Sequence, residues 1–223
     1  MQQRVNRPIT RRFWLLTSLG LVGAVLFLPS ILASSSPRPS SLSLILFVIV
    51  VAVVCACAAW VGLRCADAVD LPMPYLRRLD NYSEAPRRYG FLVAGISGVL
   101  FALAAIALLR YLNLPNLAGP LWSRLASTFF AAGSLEIVVH LLLMSLVVRL
   151  TAGRRWTGIA IAAIFFVLFH VSGLAGQGAT VITLSVMMNG LFGLGLGVIY
   201  SRYGFEYALL CHATGHILSV GFA

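Results

Sequence analysis

Seven long apolar runs, at residues 13–33, 41–63, 89–110, 128–148, 156–174, 180–200 and 205–221, constrain this chain more than any other feature of it. A helical membrane span needs about 20 predominantly apolar residues. Within hydrocarbon the backbone can satisfy its own polar groups only as a helix or a closed barrel. Unalternating runs of this length read as helices, so the expected fold is all-α, a polytopic transmembrane bundle of seven spans. Composition agrees: 60% of the 223 residues are hydrophobic and 10% are charged, against about 25% charged in soluble domains.

The arginines give an orientation. All sixteen basic residues are arginine. With the N-terminus inside, the cytoplasmic segments hold Arg4, Arg7, Arg11, Arg12, Arg64, Arg77, Arg78, Arg87, Arg88, Arg149, Arg154, Arg155 and Arg202, leaving only Arg38, Arg110 and Arg124 outside. That bias is the positive-inside pattern. The net charge of +10 therefore reads as topology and contact with anionic lipid head groups. Nucleic-acid binding would need a soluble basic domain, and none is present.

Between the runs the chain is plain. Arg11-Arg12-Phe-Trp-Leu resembles a signal start with Ala33 as a cleavage point, but the length of the apolar run favours an uncleaved first helix. The first two spans, joined by Ser34-Ser-Ser-Pro-Arg-Pro-Ser40, read as scaffold. Residues 64–88 hold Asp67, Asp70, Asp80 and Glu84 among five arginines, and Pro72 and Pro74 prevent one helix; a solvated loop on the membrane surface is expected. Tyr111 to Trp122, broken by Pro115 and Pro120, reads as an interfacial elbow. Cys55, Cys57, Cys65 and Cys211 contain no C-x-x-C pair and read as small apolar residues. Gly193 and Gly197 form a small-x-x-x-small pair that lets helices approach closely.

The chemistry lies inside the spans. Glu136 and His140 are four apart on the fourth run, His170 is in the fifth, and His212 and His216 are four apart on the seventh. Helical side chains at i and i+4 share a face. Ionisable groups in a bilayer are expensive unless paired and mark functional sites. If three faces converge, one carboxylate and several imidazoles can activate water in two ways. They can hold a zinc-like ion, with His170, His212, His216 and Glu136 as candidate ligands, or they can act directly as base and oxyanion stabilisers. A lone histidine such as His140 also serves as an interhelical hydrogen-bonding residue. The soluble zincin motif H-E-x-x-H is absent.

Phe166-Val-Leu-Phe-His170 and His212-Ala-Thr-Gly-His216, with Gly133, Leu143-Met-Ser145 and Asn189-Gly-Leu in flanking positions, resemble the F-x-x-x-H and H-x-x-x-H motifs of the CPBP intramembrane proteases. That family includes the type II CAAX prenyl endopeptidases and bacteriocin-processing or self-immunity proteins. The resemblance covers about residues 125–220, and it divides the chain into N-terminal helices with a cytoplasmic loop (1–124) and a catalytic helix core (125–223). The first motif, E-E-x-x-x-R, is altered: Leu135 stands at its first glutamate, Glu136 at its second and His140 at its arginine.

The resemblance implies an intramembrane endopeptidase cutting membrane-associated, prenylated or leader-bearing peptides. Glu136 and His170 would position the water, and His212 and His216 would hold the oxyanion or a metal. Its partners would be membrane lipids and a peptide or protein substrate, and its place a prokaryotic cell membrane. The Leu135 and His140 replacements motivate a second reading, a silent relative that binds without cutting. A third, a metal or proton pathway, uses the same histidines.

Overall fold

The computed structural model describes residues 9–34, 38–81, 84–112, 120–174 and 176–222. Arg4, Arg7, the middle of the 34–40 turn, the 113–119 part of the elbow and the Ala33 side chain lie outside the described residues. Every described element is helical. They are α1 (Thr10–Ser34), α2 (Ser41–Ala68), α3 (Pro74–Leu79), α4 (Gly90–Tyr111), α5 (Leu121–Leu135), a π segment (Glu136–Met144), α6 (Ser145–Leu150), α7 (Arg155–Val171), a 3-10 turn (Ser172–Leu174), α8 (Ala179–Arg202) and α9 (Phe205–Phe222).

Local sequence sets the boundaries. Ser40 caps α2 by accepting from the Ser43 amide at 3.1 Å, which satisfies one of the helix's orphan donors. Pro74 opens α3 and Pro120 precedes α5, both compatible with first-turn geometry. At Gly204, between α8 and α9, φ is +142°, a conformation that side chains with a Cβ rarely adopt.

Five helices are long and apolar enough to cross a membrane: Thr10–Leu32 of α1, then α2, α4, the continuous rod Leu121–Leu150, and α8. The other two apolar runs fold as α7, of 17 residues, and α9, of 18. At 1.5 Å per residue, α7 is only about 26 Å long, short of the roughly 30 Å hydrocarbon core. The outside of the bundle is apolar: Leu42, Val50, Phe91 and Leu100 are each more than half exposed, as suits an integral membrane protein.

α9 sits among α4, α5 and α8; α7 packs on α8; α1 packs on α2 and α5; and α2 lies against the π segment. The glycine pair works as its spacing implies, with Gly193 against Ala163 and Phe166 and Gly197 against Ile159. All four cysteines are free, and three are buried; Cys57 is exposed.

The 64–88 segment corrects the expectation of a solvated loop in its first half, whereas Arg78, Leu79, Asn81, Ala85, Arg87 and Arg88 are exposed as expected. Leu71, Met73 and Leu76 are buried in the core. Arg12, fully buried, donates to Asp67 at 2.9 Å and 3.2 Å and to Asp80 at 2.6 Å. Arg77 donates to Asp67 at 3.2 Å, to Glu84 at 2.7 Å and to the Leu71 carbonyl at 2.9 Å. Charges so placed must be paired to be buried at all. Asp67, Asp80 and Glu84, which made the segment look wet, are counter-ions of Arg12 and Arg77.

Candidate active site

Glu136 opens the π segment and is fully buried, as are His140 on the same segment and His212 on α9. The i→i+5 pattern of a π-helix is rare and recurs at functional sites. Here it extends over nine residues, from Glu136 to Met144.

The carboxylate lies between two imidazoles. His212 Nδ1 donates to Glu136 Oε1 at 2.7 Å. His140 Nδ1 is 3.0 Å from Oε2, an ion-pair distance, but the atoms are out of line for a hydrogen bond. His140 Nε2 lies 3.3 Å from the Gly193 carbonyl, to which it can only donate. Gly193, packed closely on α7, thus also presents its carbonyl to a buried ring of the π segment.

Three imidazoles face one another beyond this pair. His170 closes α7, with Nδ1 donating to the Phe166 carbonyl at 2.8 Å and its ring stacked on Phe166 at 4.2 Å. That leaves Nε2 free of its own helix. His216 is half-buried, one turn beyond His212, and its ring lies parallel to His170 at 6.1 Å. One ligand nitrogen from each of His170, His212 and His216 falls within 4.8 Å of the others, and among the described residues this is the group able to hold an ion. The Nε2 atoms of His212 and His216 are buried without a partner. Glu136, a candidate ligand by sequence, stands outside the group and behind His212.

These residues fit a metal. Their ligand nitrogens lie within 4.8 Å of one another, wider than the roughly 3.3 Å between ligand atoms of a tetrahedral zinc, so the rings would draw together on an ion. Three imidazoles leave the fourth position open, as catalytic zinc sites do. A carboxylate on the far nitrogen of a ligand histidine fixes its tautomer, and Glu136 is so placed on His212. Leu135, at the first glutamate of the family motif, is half-buried against the core. Two contributors escaped sequence reasoning. The Gly193 carbonyl was hidden inside a packing motif, and Phe192 lies edge-on to His212 at 5.6 Å with no polar signal to mark it.

Residues 115–218 match the family model of type II CAAX prenyl endopeptidase Rce1-like proteins. No curated protein and no solved structure matches the chain. The matched stretch, a little under half of the chain, contains Glu136 and all four histidines, and over it the chain is similar to that family of type II CAAX prenyl endopeptidases.

Proposed function

We propose that the chain is an intramembrane endopeptidase that hydrolyses peptide bonds of membrane-associated substrates, with the water activated at the His170, His212 and His216 cluster. The observation that carries this reading is the 2.7 Å bond from His212 to Glu136, which leaves the opposite ring nitrogen buried and unpartnered beside two further imidazoles. Cleaving a peptide inside a membrane needs polar groups held away from lipid, and the buried Glu136 and His212 with the adjoining His170 and His216 support that reading.

Each group has a distinct task. His170 is held at Nδ1 by the Phe166 carbonyl, which leaves Nε2 as its ligand atom. Glu136 orients His212 in the same sense and compensates charge gained by that ring. His140 flanks the carboxylate on its other side, the place where the family motif carries arginine. The three Nε2 atoms would hold a zinc-class ion, which when bound supplies Lewis acidity and lowers the pKa of its water. Phe166 and Phe192 flank the rings and keep bulk water away. The membrane arrangement that goes with this is seven spans in a cell membrane, N-terminus inside, supported by the arginine bias. Prenylated or leader-bearing peptides are the substrates the family suggests.

The test is cleavage of a panel of lipid-modified and leader peptides by purified protein in proteoliposomes, with zinc or with chelator. Cleavage lost on His170→Ala, His212→Ala or Glu136→Ala, and on chelation, supports the proposal. No cleavage, or cleavage indifferent to His212→Ala, overturns it. Activity appearing only after Leu135→Glu with His140→Arg would identify a silent relative instead.

A further inference from the structure

Glu206, the acid at the start of α9, has no part in the chemistry above, yet its carboxylate is the fixed end of the helix that carries His212 and His216. Its Oε1 accepts the amides of Tyr75 at 2.9 Å and Leu76 at 2.6 Å, 131 and 130 residues away in sequence. Beside it, the Phe205 amide donates to the Pro72 carbonyl at 3.2 Å. Gly204, at φ +142°, fits against Pro74, where a Cβ would come within 2.7 Å of the proline ring. The 72–76 segment is itself buried and held by the Arg12 and Arg77 ion pairs.

What makes this anchor matter is the surface along which α9 lies. The buried face of α4 is Gly90, Ala94, Gly98, Ala102 and Ala105, small residues throughout. A Cβ at Gly98 would lie 2.8 Å from the Cys211 carbonyl, so the two backbones are in close approach. Such a face brings helices together, with Tyr207 seated over Gly90, Thr214 over Gly98 and Phe101 against Gly215, and the Glu206 bonds add a polar fixed point at the start of α9. A slip of one residue moves α9 by about 1.5 Å and turns it by about 100°, enough to break the 2.7 Å bond between His212 and Glu136.

We infer that Glu206 is a positioning residue: its bonds to the Tyr75 and Leu76 amides set the height and rotation of α9, and so the placement of His212 and His216 against Glu136 and His170. This deepens the protease reading and rests on it for its kinetic consequence. The test compares Glu206→Gln, which keeps an acceptor, with Glu206→Asp, too short to reach, and Glu206→Leu, with none. Full-length protein in micelles is labelled with ¹⁵N-histidine so that the His212 Nδ1–H proton, shifted downfield by its carboxylate bond, is observed directly.

In Asp and Leu variants of unchanged melting temperature, that resonance shifts or is lost. In the same variants kcat falls by about 10–100-fold at nearly constant KM, as for a misplacement near 1 Å. The Gln variant restores both. A wild-type His212 signal in Glu206→Leu overturns the inference, as do kcat losses that simply track melting temperature across the series. The histidine signal reports whether or not anything is cleaved. A chain with no protease activity but a Glu206-dependent resonance refutes the protease reading and leaves the positioning role standing; the opposite pattern does the reverse. If the Leu variant does not fold, the Asp and Gln pair decides.

Discussion

At the scale of the residue, the organising fact is that one fully buried carboxylate serves two rings. Glu136 has an imidazole on each oxygen, and His140 faces acceptor oxygens with both nitrogens, Glu136 Oε2 at 3.0 Å and the Gly193 carbonyl at 3.3 Å. The ring therefore occupies the place beside the carboxylate where the family motif carries arginine. Arginine would offer a planar fork with more donors, so the exchange is not conservative. Replacing His140 by leucine should strip a buried carboxylate of one partner and destabilise the protein by about 3 kcal/mol or more. Thermal melting of the His140→Leu variant against wild type measures it. Glu136→Gln should leave the fold in place while turnover falls by about 10–100-fold, because the amide no longer fixes the His212 tautomer. A peptide-cleavage assay on both proteins at equal concentration checks it, and unchanged turnover would remove Glu136 from the site.

At the scale of the element, the π segment and α2 must be considered together. Gly62 of α2 lies against Leu141, where a Cβ would meet the Leu141 carbonyl oxygen at 2.8 Å and its carbon at 2.9 Å. Those atoms are backbone and cannot rotate away. Gly62→Val should therefore push α2 off the π segment and destabilise the bundle by about 1–3 kcal/mol, the usual range for overpacking. It should also disturb cleavage, because Leu141 directly follows His140 on the π segment. A stable Gly62→Val protein with unaltered melting would show that this contact is not tight. The role of scaffold expected for the first two spans fits this packing, since α2 backs the segment that carries Glu136 and His140.

At the scale of the whole molecule, one end is tied by buried charge and the remainder by apolar packing. Arg12 on α1, Asp67 on α2, and Arg77, Asp80 and Glu84 on and around α3 form one connected ion network. Arg149 reaches Cys65 at 3.8 Å, and Arg155 donates to the Ser201 carbonyl at 3.0 Å, so the ends of α6, α7 and α8 join the same side. Arg12→Ala should leave Asp67 and Asp80 short of a buried counter-ion and cost about 3–5 kcal/mol. Arg11→Ala, on an exposed neighbour, should cost about 0.5 kcal/mol or less. Melting the two variants side by side gives the comparison, and equal effects would mean the network does not hold α1 in place.

Hydrophobicity by itself determined that this chain is a helical membrane protein, because runs of about 20 apolar residues leave the backbone no other way to bond in hydrocarbon. It also singled out Glu136, His140, His170, His212 and His216, since ionisable side chains inside such runs have no solvent to excuse them. The close approach of Gly193 and Gly197 to a neighbouring helix was legible from their spacing alone. Only the tertiary structure decided the rest. Solvation of residues 64–88 depends on whether their counter-ions come from distant segments, and Arg12 arrives from 55 residues away. The π geometry at Glu136 answers to packing against α2 and α9, with no local residue code to announce it. Which ring the carboxylate would hold, and that Glu206 would dock on the amides of Tyr75 and Leu76, follow from the mutual placement of helices, a property of contacts between segments far apart in the chain.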